Sequence, residues 1–149
     1  MKKFLALVGA LVMVLVLVSC DSAPELTNVG TFEDFTLELG SAEITTSYDG
    51  RQALRVHAVY TNANEDPYYA LSCFAVRAFQ HDKELEDCSD INGDEAALIR
   101  EVKNGASLEV AYVFILEDES PVEVLIGEPT ADQDTIGRAN YLEPEEGQS

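Results

Sequence analysis

The sequence predicts an all-β fold, an antiparallel sandwich of about six to seven strands, and three observations lead there. From Thr31 to Ile126 the apolar residues recur with a period of two, the repeat of a strand with one face in a core. The runs are separated by turn clusters: Tyr48-Asp49-Gly50, Asn62 to Pro67 and Asn104-Gly105. No β-run is followed by a repeated helical pattern, which argues against a parallel sheet.

Phe35, Leu37 and Leu39 alternate with Thr36 and Glu38, and Gly40 reads as a turn. Ala42 to Ser47 is a second short extended run, closed by an Asp-Gly step whose residues tolerate positive φ. Ala53 to Thr61 is the strongest strand, with Leu54, Val56, Ala58 and Tyr60 on one face and Arg55, His57 and Thr61 on the other. Tyr69 to Gln80 reads as one long strand that Lys83 and Leu85 extend past a bend. Glu86 to Glu95 is an acidic loop, and Glu95 to Val102 forms one or two helical turns. Leu108, Val110, Tyr112, Phe114 and Leu116 give the longest clean alternation, and Pro121 opens a last strand through Val122, Val124 and Ile126. Beyond Glu128 the chain is acidic and poor in apolar residues, so it reads as disordered.

The first twenty residues follow a different logic. Lys2 and Lys3 precede an apolar run of fifteen residues, Phe4 to Val18, too short for the ~20 residues that span a bilayer as a helix. It reads as a signal peptide. Leu17-Val18-Ser19-Cys20 has the form of a lipobox, in which the Cys20 thiol receives diacylglycerol and becomes the mature N-terminus. Several acyl chains hold a protein on a membrane where one does not. The chain thus divides into residues 1–19 (signal peptide), 20–30 (lipidated cysteine and tether), 31–128 (sandwich) and 129–149 (acidic tail). Its expected place is the extracytoplasmic face of the cell membrane.

Of nine basic residues two lie before Cys20, leaving seven against 28 acidic ones, a formal balance of −21. Such a surface repels nucleic acid, so none is expected as a partner. In an oxidising compartment Cys73 and Cys88 are expected to pair, closing a loop worth about 3 kcal/mol on chain-entropy arguments. The rival is two thiols, with Cys73 simply buried.

Catalytic signals are lacking. There is no Gly-x-Ser-x-Gly elbow, and His57 and His81 have no paired serine in a recognisable context. Asp87, Asp90 and Asp94 crowd near Gly93 and are weak candidates for a cation site. An EF-hand register fails, because it would put Cys88 and Ile99 where carboxylates are required. No cofactor is expected.

Tyr60-Thr61-Asn62 at a strand end, Asp66-Pro67 in a turn, Phe74-Ala75-Val76 running to Phe79-Gln80, and Val102-Lys103-Asn104-Gly105 before an alternating strand make up a pattern. Behind a lipobox, it resembles the immunoglobulin-like domain-of-unknown-function lipoproteins of Gram-positive bacteria. The resemblance spans roughly Gly30 to Glu128 and implies an extracytoplasmic immunoglobulin-like sandwich; it supplies no catalytic residues. The expected function is a lipid-anchored, non-enzymatic binding or adaptor module engaging a cell-envelope protein or ligand. The alternatives are a cation- or small-ligand-binding surface lipoprotein and an envelope enzyme with an unrecognised site.

Overall fold

The computed structural model describes residues 25–89 and 94–144. Eight strands form two four-stranded antiparallel sheets: β1 (Val29–Phe32), β2 (Phe35–Thr46), β3 (Gln52–Asn62), β4 (Ala75–Gln80), β5 (Lys83–Glu84), β6 (Ala106–Ile115), β7 (Val122–Gly127) and β8 (Thr135–Tyr141). One sheet has the order β1-β2-β3-β6, the other β5-β4-β7-β8. Hairpins join β1 to β2, β2 to β3, β4 to β5 and β7 to β8 within a sheet, while the chain changes sheet three times: through two longer connections, from β3 to β4 and from β5 to β6, and through the short β6–β7 loop. The first carries a short helix, α1 (Ala70–Cys73), and the second a 3-10 helix (Asp94–Ile99).

Alternation explains the packing. Leu37, Leu39, Leu54, Val56, Tyr60 and Phe114 are almost wholly buried on one inner face, and Val122, Val124 and Ile126 oppose them from the other sheet. Phe74 bridges the two, its ring edge-on to Tyr60 with centroids 6.3 Å apart. Each mid-sized side chain taken wholly out of water stabilises the fold by roughly 1.5–3 kcal/mol before entropy is counted. Every member of this core lies between Phe35 and Ile126.

Two buried amides hold the ends of the sandwich. Asn62 Nδ2 donates to the carbonyls of Asp66 (2.9 Å) and Val102 (2.7 Å), while its Oδ1 accepts from Asn64 N (2.7 Å). Gln80 Nε2 donates to the carbonyls of Asp118 (3.0 Å) and Ser120 (2.8 Å), and its Oε1 accepts from Glu117 N (2.8 Å). Both side chains are buried, and these bonds supply what water would otherwise provide.

Several expectations need correction. Among the described residues the strands number eight, where about six to seven were expected. Gly40 is not a turn: β2 runs through it, with a bulge between Leu39 and Ala42. A side chain at Gly40 would press on the His57 carbonyl at 3.3 Å, and the Gly40 carbonyl accepts from Tyr141 Oη at 2.8 Å. The stretch from Tyr69 is broken by α1, so β4 begins only at Ala75. β5 follows through a two-residue turn in which His81 and Asp82 both have positive φ, as the twist of a tight hairpin demands.

Within the acidic loop, Asp87 pairs with Phe114 as an added bridge on the free edge of β6; Cys88 N donates to Val113 O at 2.9 Å and Ile115 N to Glu86 O at 2.8 Å. The assignment of 129–149 to a disordered tail fails for Thr135–Tyr141. That segment is β8, which pairs with β7 along its length. The sandwich therefore extends from Val29 to Tyr141 rather than over 31–128. The predicted helical turn near Glu95 is present as the 3-10 helix.

Candidate functional site

The two sides of the sandwich differ. On one, β1 and β8 meet closely: a Cβ built on Gly30 or on Gly137 would come within 2.8 Å of the Ile126 side chain, and Arg138 N donates to Thr27 O at 2.7 Å. Only residues without side chains permit that approach. On the other side the sheets part. β5 pairs only with Phe79 and Gln80, so among the described residues no strand covers the edge of β4 from Ala75 to Arg77. The opposing edge is the Glu86–Cys88 segment against β6. Between these edges opens a cleft of about 870 Å³, roofed by residues of α1 and the 3-10 helix.

The cleft mixes apolar and polar lining. Phe74, Leu85 and Phe114, all buried, form its wall, and Leu98 closes it from the 3-10 helix. Leu71 (54% exposed) and Ile99 (61%) stand at its boundary with water. Charge of both signs lines it: the exposed carboxylates of Glu84 and Asp87, and the half-buried Arg77 from β4.

One polar side chain in the lining is deeply buried. Tyr112 is 7% exposed, and its hydroxyl has no hydrogen-bond partner among the described residues. Burial, followed by the nearby Cys73 sulfur, pushes that hydroxyl well above the usual tyrosine range, so it remains an O–H donor across the physiological range. Tyr60 is similarly raised, first by burial and then by its contact with Cys73, 3.5 Å from Oη to Sγ.

The expected disulfide is absent: the structure holds Cys73 and Cys88 as thiols. The physical reason is facing. Cys73 belongs to the core between the sheets, against Tyr60. Cys88 lies across from Val113, next to the Asp87–Phe114 pair, and successive strand residues point to opposite faces. With Phe114 in the core, alternation directs Val113 and Cys88 away from it, while Cys73 stays packed against Tyr60.

The remaining predicted residues are dispersed. Leu17, Val18, Ser19 and Cys20 lie outside the described residues, as do Asp90 and the side chain of Asp94; Asp87 alone of the proposed cation ligands is placed, at the cleft. Among the described residues no three of His, Cys, Asp and Glu converge as a metal site. His57 Nε2 lies 3.2 Å from Glu43 Oε1, and His81 Nε2 lies 2.9 Å from Asp118 Oδ2, both pairs exposed. Hydrogen bonds from Ser120 and then His81 hold the Asp118 carboxyl at about 2. Tyr68 stacks edge-on against Phe35 at 5.2 Å, which makes it a lid on the core. The sequence reading missed Tyr112 as anything but core, because its alternation is the same as that of its neighbours.

These features define a small β-sandwich, sealed along one edge and open along the other. The family model for the domain of unknown function DUF5067 matches residues 21–126, and the chain belongs to that family. The match ends just before Gly127, so β8 lies beyond it. No curated protein matches the sequence.

Solved structures share the fold. A candidate lipoprotein of Staphylococcus aureus superposes with a TM-score of 0.59 at 10% identity, covering 76% of this chain and 87% of the other. The ycdA candidate lipoprotein of Bacillus subtilis gives 0.58 at 13%, covering 78% of this chain and 39% of the longer partner. A protein of Enterococcus faecalis gives 0.55 at 17%, covering 78% and 90%. At these identities the likeness is one of fold.

Proposed function

We propose that the protein is a lipid-anchored module on the extracytoplasmic face of the cell membrane, with an immunoglobulin-like sandwich that binds a cell-envelope protein or ligand and carries out no catalysis. The observation that carries this reading is a juxtaposition: the first strand of a complete sandwich begins at Val29, nine residues after the cysteine of a lipobox. A domain so close to its anchor works at the membrane surface. The strand order supports the immunoglobulin-like part. With the Glu86–Cys88 segment counted as the strand beside β6, one sheet reads β2-β3-β6-edge with β1 added outside β2, and the other β5-β4-β7-β8, the pairing of an ABED sheet with a C′CFG sheet plus one extra edge strand. The likeness to candidate lipoproteins of two Gram-positive bacteria agrees with the anchor.

The test is the intact mass of the protein extracted from its host membrane, together with a Cys20→Ala variant. The expected mass begins at Cys20 and carries a diacylglycerol group, and the variant leaves the membrane fraction or stays as precursor. An unlipidated mass, or a variant still attached after processing, overturns the anchor.

A further inference from the structure

β4 has one edge taken by β7 and the other only half covered. In an antiparallel ladder, successive residues turn their backbone N–H and C=O groups to opposite sides of the strand. Leu85 N donates to Ala78 O at 2.8 Å, so Ala78 faces β5, and Val76, two residues earlier, faces the uncovered stretch of the same edge. Ala75, Arg77 and Phe79 turn theirs to β7. Among the described residues nothing takes the Val76 N–H or its carbonyl. An edge left in that state is a template for one more strand.

Two features give that strand its chemistry. The Val76 side chain packs inward against the core, so a residue set opposite it would also point inward, into the cleft beside Phe74, Leu85, Leu98 and Phe114. Its neighbours would stand on the outer face, one opposite Ala75 and one opposite Arg77. Arg77 is half-buried, with its Cζ 5.5 Å from the centroid of the Phe79 ring, and it makes no ion pair among the described residues. Arg51 and Arg138, by contrast, hold carboxylates at 2.7 and 3.3 Å. A cation is thus left uncommitted beside an open edge, on a chain with 28 acidic residues.

We propose that the open edge of β4 takes up an extended segment of another protein, antiparallel to β4, in which a carboxylate residue facing Arg77 is followed by an apolar, β-branched residue facing Val76. The residue opposite Val76 exchanges two backbone hydrogen bonds with it, and the side chains on either face set the sequence. This deepens the binding reading above by naming the partner as an extended peptide, and it rests on that reading.

Charge selects the occupant. One carboxylate meets Arg77, whereas further acids would be repelled by Glu84 and Asp87 at the same mouth and by the formal balance of −21. The same balance disfavours a second copy of this chain. Leu71, on the helix that leads into β4, and Ile99 are left mostly in water beside the cleft and offer apolar surface to the flank of the segment.

The experiment uses residues 20–149 with Cys20→Ser, which contains every described strand, and the blocked peptide acetyl-Thr-Asp-Val-Thr-Thr-amide, followed by backbone and methyl NMR. The expected result is a saturable shift of the Val76 amide and the Leu98 methyls, slower hydrogen exchange at the Val76 amide, and no change at Ile136 on the sealed side. Lysine in place of the peptide aspartate weakens binding about tenfold, since an attraction becomes a repulsion. N-methylation of the peptide valine, which removes the donor to Val76 O, weakens it about fivefold. Arg77→Glu reverses the preference in favour of the lysine peptide, and Arg77→Gln abolishes it.

Absence of a saturable shift at Val76, equal affinity for the N-methylated peptide, or a preference for aspartate that survives both Arg77 variants overturns the assignment. So does a concentration-dependent dimer that protects the Val76 amide without peptide. Because the chain tested carries no lipid, such a failure leaves the anchor at Cys20 and a binding surface elsewhere on the sandwich standing, and failure of the anchor leaves the result at the edge intact.

Discussion

The sealed and open sides of the sandwich are built from the same kinds of strand, yet they end differently. On the sealed side β1 and β8 approach because Gly30 and Gly137 put no side chain between themselves and Ile126. On the open side the strands stop short: β5 pairs with only two residues of β4, and the partner edge on β6 is a single bridge with its flanking hydrogen bonds. The difference teaches that closure of a two-sheet body is local. Shared core residues hold the sheets together, and each edge is then either zipped by close backbone approach or left as a space.

The largest expected effect breaks the sealed side. Gly137→Val would drive a branched side chain onto Ile126 Cδ1, 2.8 Å from a Cβ, and onto the Gly30 amide at 3.2 Å. The expected loss is about 3 kcal/mol, the upper part of the overpacking range. The matching insertion on the open side, Ala96→Phe, is expected to stay within about 0.5 kcal/mol. Urea unfolding of the two variants checks both; equal losses would mean that the cleft is as tightly packed as the seam.

The next effect probes the two cysteines, one in the core and one directed away from it. Cys73→Ser puts a hydroxyl into the core and is expected to cost about 1–2 kcal/mol, whereas Cys88→Ser costs well under half as much. Thermal melting of the single and double variants reads it: equal, non-additive losses would show that the two are bridged after all.

The smallest effect concerns the loops near β5. Asp118, held at about 2 by Ser120 and His81, links the β6–β7 loop to the β4–β5 turn. Its folded pKa lies below the ordinary ~3.9 of an unfolded aspartate, so its contribution is fully present above that value. It disappears as pH falls toward 2. Asp118→Asn should therefore flatten the acid limb of a stability profile between about pH 4 and 2 and change little at pH 7, as acid titration by circular dichroism would show.

The sequence made the strands of the core legible and their edges obscure. β3, β6 and β7 announce themselves because one face is apolar and the other is not. β8 does not: Thr135, Gly137, Arg138 and Asn140 carry little hydrophobic signal, and the segment is a strand because β7 offers it a ladder of partners. β1 is four residues long, too short for a period to show. The helical break at Ala70–Cys73 was hidden for the opposite reason, since four apolar or small residues suit either period. As for the site, Tyr112 was read correctly as inward-facing, but a hydroxyl left without a partner is a property of three strands at once. The disulfide expectation failed at the same level: loop length says that two cysteines can meet, while only register says which side of a sheet each one faces.

β1 is the seal of one side and also the strand nearest Cys20. If the proposed anchor holds the protein, its leash leaves from the edge opposite the cleft. The five residues from Cys20 to Glu25 reach no more than about 18 Å when extended, so the body pivots close to the bilayer with its sealed rim toward the pivot. The opening lies on the side away from the attachment, so the leash itself does not cross it.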